Sequence, residues 1–129
     1  ILLMGDYNDG PDQAVMTTIL KAARPGNTTS EPGLTNLMFE ARGMPGTHKY
    51  QGEWSLLDQF VVSNTLFMGE GRLQACKAKI VNESYLLEDD NTHSGSKPFR
   101  TFAGPRYLGG FSDHLPVVVD VIVEITNQK

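Results

Sequence analysis

The sequence predicts an α+β fold of mostly antiparallel or mixed strands with few helices, in a single unit that spans residues 1–129. A chain of this length can bury roughly two-thirds of the surface that its unfolded form exposes, so a real core is feasible. Its 40% hydrophobic and 20% charged residues are typical of a folded globular protein. Most apolar segments have the length and alternation of strands, and only a few have helical spacing.

The first third of the chain predicts one strand and two helical pieces. The four apolar residues of ILLM, residues 1–4, predict a strand that is buried on both faces and ends at Gly5. Apolar residues at helical spacing predict a helix from Asp12 to Ala23. A short helical piece is expected from Leu37 to Arg42, with Thr35 as its cap.

The remainder of the chain predicts strands separated by loops. The segments THKYQ and WSLLDQFVVS flank Gly52-Glu53 and predict a hairpin. In ACKAKIV, small or apolar residues alternate with lysines, which indicates a half-exposed strand. Residues 82–110 are polar and glycine-rich and predict a long loop, a feature that is usually functional or disordered. The valine-rich stretch Leu115–Ile125 predicts the last strand.

The charge and the cysteine content exclude or disfavour several kinds of site and partner. The net charge is −4, with 15 acidic and 11 basic residues, so nucleic acid stays a possible partner that the charge does not favour. The single cysteine, Cys76, excludes an intrachain disulfide and a cysteine-based zinc site. No apolar run approaches the roughly 18 residues of a membrane span, and ILLM is too short for the core of a signal peptide. The cellular compartment stays open.

The first candidate site lies in GDYND, where the first predicted strand ends. Residues two apart in an extended chain point the same way, so Asp6 and Asn8 should project together. A carboxylate and an amide offer oxygen ligands for a hard cation such as Mg²⁺, or contacts for a water and a phosphate oxygen. The alternative is an ordinary strand-to-turn junction, since Asp, Asn and Gly are common turn residues.

Asp58 is the second candidate. If WSLLDQFVVS is a strand, Asp58 shares a face with Leu56, Phe60 and Val62. A buried carboxylate without a partner is costly, so Asp58 should have a hydrogen-bonding or charged neighbour. A register that differs by one residue would instead place Asp58 in solvent beside Gln59.

The third candidate is the pair Asp113 and His114 in GGFSDHLP. The glycines and Pro116 indicate a loop that enters a strand, where both side chains can reach one site. His114 is the best candidate for a general base or a transition-state stabiliser, because imidazole titrates near neutral pH. Asp58 is the carboxylate that could orient it. The other histidines, His48 and His93, are expected to be ordinary structural or surface residues.

The order of these motifs along the chain is itself informative, because it matches that of a known superfamily. GDYND, GEWSLLDQFVVS and GGFSDHLPVVVDV resemble the later half of the endonuclease/exonuclease/phosphatase superfamily, the group that includes DNase I and the abasic-site endonucleases. The resemblance spans Ile1 to about Val123, and its most specific element is SDH-x-P. Two segments, YLGGFSDHLPV and GTHKYQGEW, resemble a bacterial subgroup. The resemblance implies the C-terminal half of a DNase I-like four-layer sandwich, with flanking helices.

The resemblance also implies roles for the candidate residues in hydrolysis of a phosphodiester or phosphomonoester. Asp6 would orient or deprotonate the attacking water or bind metal, and Asn8 would contact the scissile phosphate or the metal. Asp58 would support His114, which would stabilise the phosphate in the transition state. Asp113 would contribute to a Mg²⁺ or Mn²⁺ site.

The earlier half of the superfamily fold supplies a metal-binding Glu and further phosphate contacts that have no counterpart here. The chain is therefore expected to be the later part of a longer protein, with little or no hydrolysis by itself. The chain by itself should expose a large apolar surface, unless the missing N-terminal half, a second copy or a rearrangement covers it.

The segment KPFRTFAGPRYLGG interleaves basic and aromatic residues just before the SDH element. Arg100 and Arg106 are the better candidates for binding the phosphate of a substrate. The aromatic residues could instead simply pin a long loop to the body of the protein. A second interpretation of the whole chain is a non-catalytic module that keeps the fold and uses this loop to bind a partner.

Overall fold

A computed structural model describes residues 1–41 and 43–124. These residues form short helical turns, one five-residue helix α1 (Asn64–Met68) and twelve strands. The strands are β1 (Leu2–Asp6), β2 (Ala22–Ala23), β3 (Leu34–Asn36), β4 (His48–Tyr50), β5 (Glu53–Ser55), β6 (Asp58–Ser63), β7 (Leu73–Ile80), β8 (Leu87–Asp89), β9 (Ser96–Pro98), β10 (Phe102–Ala103), β11 (Arg106–Tyr107) and β12 (Val117–Val123). The predicted α+β class, with few helices, is confirmed.

A four-stranded sheet in the order β1-β6-β3-β2 forms one layer. Strand β6 pairs antiparallel with β1 and β3, whereas β2 and β3 are parallel. Because β6 has a neighbour on each side, its residues Gln59–Val62 are all buried. This central strand fixes the position of Asp58 at its start.

The second layer is the antiparallel pair β7–β12, and the main core lies between it and β6. Phe60 and Val62 of β6 share this core with Ala78 and Ile80 of β7, and with Leu115. The predicted half-exposed strand is therefore present. Its residues Ala75, Ala78 and Ile80 are buried in this core, while its lysines are exposed.

The helix predicted for Asp12 to Ala23 is wrong in extent. Only a π-helical turn, Val15–Ile19, forms, and β2 begins three residues after its end. The turn buries Met16 and leaves Ile19 75% exposed, so the helical spacing did not mark a core-facing stripe. Lys21 adopts a positive φ of 55°, which ends the helical path and lets Ala22 and Ala23 pair with β3.

The second predicted helical piece is a short 3₁₀ turn, Leu37–Glu40. Its cap is Asn36, whose Oδ1 accepts the N–H of Met38 at 3.0 Å, and not Thr35. Thr35 is fully buried and its hydroxyl donates to Asn64 Oδ1 at 2.9 Å. Arg42, the predicted end of this piece, lies outside the described residues, as does Ile125 at the end of the last predicted strand.

The predicted hairpin is confirmed as β4–β5, with Gln51 and Gly52 at positive φ values of 48° and 89° in its two-residue turn. WSLLDQFVVS is not one strand, however, because Leu56 and Leu57 separate β5 from β6. The prediction of a continuous loop over residues 82–110 is also wrong. This segment contains a 3₁₀ turn and the hairpins β8–β9 and β10–β11.

The apolar core ends at a free sheet edge. Leu2 and Met4 of β1 lie opposite Val62 and Phe60 and share their face, yet they are 42% and 68% exposed. Strand β1 is thus not buried on both faces as predicted, because among the described residues it pairs with β6 alone. Strand β12 also exposes large apolar residues, including Ile122. Within the described residues, no helix is long and apolar enough to cross a membrane.

Candidate active site

Asp58 and His114 form the centre of the candidate site. Asp58 Oδ2 lies 2.7 Å from His114 Nδ1, and the two side chains are only 16% and 23% exposed. A carboxylate can only accept a hydrogen bond, so Nδ1 carries the proton. The imidazole is thereby held in one orientation, and its Nε2 is left for a substrate or a metal.

Gln59 shows which face of β6 carries Asp58. The sequence prediction did not single out this residue. Its side chain is fully buried, and Nε2 donates to the carbonyls of Asp9 and Leu56 at 2.8 Å each. Its Oε1 accepts from Asn36 Nδ2 at 3.0 Å. The alternative in which Asp58 and Gln59 exchange faces is therefore wrong, and Asp58 lies on the core side with Phe60.

Thr47 connects its own segment by hydrogen bonds to the start of β6 and to the segment that contains His114. Its hydroxyl accepts the backbone N–H groups of Leu57 and Asp58, both at 3.3 Å. Its carbonyl accepts the N–H of Leu115 at 2.7 Å, immediately after His114. Because Thr47 is fully buried, these bonds hold the backbone of both site residues in a fixed frame.

His48, the residue that follows Thr47, is a neighbour of His114 that sequence reasoning treated as an ordinary histidine. The two residues form an isolated β-bridge, and their ring centroids are 4.7 Å apart. Ligand atoms of His48, Asp113 and His114 all lie within 4.8 Å of one another. The sequence signal was only its place in GTHKYQGEW, close to the strand that carries Asp58.

Several charges surround His48. Burial lowers its pKa below the usual 6.5, and the neighbouring His114 and Arg100 lower it further. The carboxylates of Asp113 and Asp6 act in the opposite direction. The balance favours the neutral imidazole. Of the two carboxylates, that of Asp113 has an oxygen within 4.8 Å of a ring nitrogen of His48.

Asp6 lies at the end of β1, directly opposite Asp58 across the strand pair. Asn8 follows in a left-handed conformation, φ 53°, and its backbone N–H donates to Asp6 Oδ1 at 2.8 Å. The expectation that Asp6 and Asn8 project together along one strand is therefore wrong, because the strand has ended before Asn8. Instead, Asn8 lines a depression with Gln13 and Leu56.

A model of the endonuclease/exonuclease/phosphatase family matches residues 1–123 of the 129-residue chain. The chain belongs to this family. No curated protein and no solved structure matches it.

Members of the endonuclease/exonuclease/phosphatase family are hydrolases that act on phosphoester bonds, and they generally depend on a divalent metal. The three motifs that suggested the family from the sequence all lie in the matched residues, so the predicted membership is confirmed. Among the described residues, the ligand atoms of His48, Asp113 and His114 form a group close enough to hold a cation. The oxygen set of Asp6, Asn8 and Asp113 that the sequence predicts stays a prediction.

The two arginines predicted to bind substrate lie in different places. Arg100 Nη2 is 3.6 Å from Asp113 Oδ2, which places Arg100 at the site. A Cβ at Gly110 would collide with the carbonyl of Phe99, so the absence of a side chain there lets the two segments approach. Arg106 is exposed in β11, and none of the ion pairs among the described residues includes it.

A second cluster adjoins the site. Lys49 is nearly buried, and its Nζ lies 3.0 Å from Asp90 Oδ2 and donates to the carbonyls of Ser94 and Ser96. These contacts fix the loop between β8 and β9. Together with Arg100, Lys49 and Asp90 line a cavity of about 260 Å³.

Proposed function

We propose that the chain is the C-terminal part of a divalent-metal-dependent phosphoesterase that hydrolyses a phosphodiester or a phosphomonoester. The observation that carries this proposal is the 2.7 Å contact between Asp58 and His114 next to Asp113 and Asp6. A module that only binds a partner has no need of a half-buried acid that orients a histidine. The family membership independently supports phosphoester hydrolysis as the reaction class.

The residues divide the work of hydrolysis according to their chemistry. His114, oriented by Asp58, presents Nε2 to a phosphoryl oxygen and stabilises the charge that develops in the transition state. Asp6 is exposed at the end of β1 and orients or deprotonates the attacking water. Asn8 donates its amide to the phosphate, and Asp58 is a positioning residue.

Mg²⁺ or Mn²⁺ fits the oxygen donors of the site. The carboxylates of Asp6 and Asp113 are both exposed, and the amide oxygen of Asn8 adds a neutral ligand. When bound there, such a cation offsets charge on the phosphoryl oxygens. Arg100, beside Asp113, binds a phosphate oxygen of the substrate. Arg106, exposed in β11, is the second proposed contact with the substrate.

We infer that a further part of the fold covers the apolar edge of β1 and the exposed face of β12. The 68% exposed Met4 sits on the core face, opposite the nearly buried Phe60. An edge of this kind is stabilised when another strand continues the sheet. The N-terminal half of the same protein is the proposed cover and a second copy is the alternative, and residues 1–129 alone are then inactive.

The test is a panel of phosphodiesters and phosphomonoesters, assayed with the full-length protein and Mg²⁺ or Mn²⁺. His114→Ala should lower kcat about 10²–10⁴-fold, the range for loss of a positioned acid or base. His93→Ala, which changes an exposed histidine outside the site, is the matched control. Folded protein that turns over no phosphoester would favour the alternative of a non-catalytic binding module.

Residues 1–129 are assayed beside the full-length protein. Turnover at the full-length rate by this chain alone would contradict the proposed need for a covering half. Gel filtration of the same sample distinguishes a monomer from a second copy that covers the edge.

A further inference from the structure

The group His48, Asp113 and His114 has a donor chemistry different from that of the oxygen set. It combines two imidazoles with one carboxylate, and these ligand atoms lie within 4.8 Å of one another. Magnesium strongly prefers oxygen ligands, whereas imidazole nitrogen suits zinc and other transition-metal dications. The composition of the group therefore favours a metal of the second kind.

The backbone holds the two histidines together. His48 and His114 form a β-bridge, and the N–H of Leu115 donates to the carbonyl of Thr47 at 2.7 Å. The N–H of His114 also donates to Ser112 Oγ at 3.0 Å. The backbone positions of the two histidines are thus held side by side before any ligand arrives.

Asp58 is not one of the three ligands, but it orients the ring of His114. A histidine that binds a metal usually donates its other ring N–H to a carboxylate or carbonyl, which sets the tautomer and the orientation of the ring. Asp58 provides this contact at Nδ1 of His114, 2.7 Å away. His114 Nε2 is then the atom that coordinates.

We propose that His48, Asp113 and His114 bind a transition-metal dication, with Zn²⁺ as the best fit. Zinc bonds of about 2.0–2.2 Å in a tetrahedron place the ligand atoms roughly 3.4 Å apart, so small side-chain rotations close the site. Arg100 lies 3.6 Å from Asp113 and opposes a cation there. Removal of its charge should therefore strengthen metal binding.

Zinc in this site has a consequence that rests on the proposed function. The metal occupies His114 Nε2, the atom that would otherwise reach the phosphate, and it takes Asp113 from the oxygen set. Zn²⁺ therefore inhibits hydrolysis that Mg²⁺ supports. Metal binding itself does not depend on the reaction.

The direct test measures metal binding without activity, in the full-length protein with excess Mg²⁺. Co²⁺ serves as the spectroscopic probe through its visible absorption, and Zn²⁺ affinity is measured by calorimetry. Loss of an outer-sphere partner typically weakens metal binding about 10–100-fold, so loss of the ligand His48 should weaken it at least that much. His93→Ala, the matched control, should bind like the wild type, and Arg100→Ala should bind more tightly.

Two outcomes overturn the metal site: wild-type affinity in His48→Ala, or an equal loss in His93→Ala. Asp113→Asn, which changes an exposed ligand, gives the same test should His48→Ala fail to fold. Zinc inhibition that His48→Ala relieves would support the site and its consequence together. Intact Co²⁺ binding in a protein that hydrolyses no phosphoester would refute the proposed function and leave the metal site standing.

Discussion

Replacing Gln59 with methionine tests whether the buried amide supports the site. The change keeps the length of the side chain but removes three hydrogen bonds, with Asn36, Asp9 and Leu56. An unsatisfied buried amide at Asn36 costs about 1–3 kcal/mol, and each lost bond to a part-buried carbonyl about 0.5–1.5 kcal/mol. The free energy of unfolding should therefore fall by about 2–6 kcal/mol, a large share of the roughly 5–15 kcal/mol of a typical domain.

Urea unfolding followed by circular dichroism measures the effect. With a slope of about 1–3 kcal/mol per molar urea, the midpoint should fall by at least about 0.7 M while the slope is unchanged. Gln74→Met is the matched control, since Gln74 is exposed on a strand and donates only one long bond, 3.4 Å, to Phe67. That control should stay within about 0.5 kcal/mol of the wild type.

Gln59→Glu separates hydrogen bonding from packing. The ionised glutamate can accept from Asn36 but cannot donate to the two carbonyls, so it should be destabilising at neutral pH. Its folded-state pKa is then raised, and the deficit relative to the wild type should shrink as the pH falls and the acid regains a donor. A Gln59→Met protein as stable as the Gln74→Met control would refute the reasoning.

Three further outcomes follow from the contacts around the site. Lys49→Met should lower the free energy of unfolding by at least about 2 kcal/mol, because two charge-assisted bonds to the β8–β9 loop are lost, whereas exposed Lys77→Met should be nearly neutral. The hydrogen bond from Lys49 lowers the pKa of Asp90 to about 2. The contribution of the Lys49–Asp90 contact to stability is therefore present above pH 3.8, the ordinary pKa of Asp90, and is lost as the pH falls from 3.8 towards 2. Urea midpoints measured across that interval should fall less steeply in Lys49→Met than in the wild type. Gly110→Ala should displace Arg100 and raise KM for a phosphoester more than it lowers kcat, and an unchanged KM would contradict the proposed contact.

The need of Asp58 for a partner could be predicted from its strand alone. A carboxylate beside Phe60 and Val62 on a strand face cannot be left unpaired. That the partner is His114, 56 residues away, was implied by the family resemblance. The hairpin β4–β5 was predictable for a similar reason, since its turn contains Gly52 at a positive φ. In both cases a short segment carries most of the information.

The errors arise where tertiary contacts decide the structure. The spacing of Val15 and Ile19 suits a helix, but pairing of Ala22 with β3 competes with the helical path and prevails. His48 gives no sign in the sequence that it faces His114, because that contact depends on how β4 meets the segment before β12. Asn8 departs from strand geometry for a local reason. It adopts a left-handed conformation in a turn, and its N–H donates to the side chain of Asp6. Strand periodicity alone cannot predict such a turn.

The site depends on both layers of the fold at once. Asp6 and Asp58 end or begin strands of the first sheet, while His114 precedes β12 of the second. The distance between Asp58 and His114 is therefore set by the core between the sheets, in which Phe60 meets Leu115 and its neighbours. Thr47 adds a direct connection, because its hydroxyl accepts the N–H at the start of β6 and its carbonyl accepts the N–H of Leu115. A change in core packing should consequently alter the distance between Asp58 and His114, even when the changed residue does not contact a substrate.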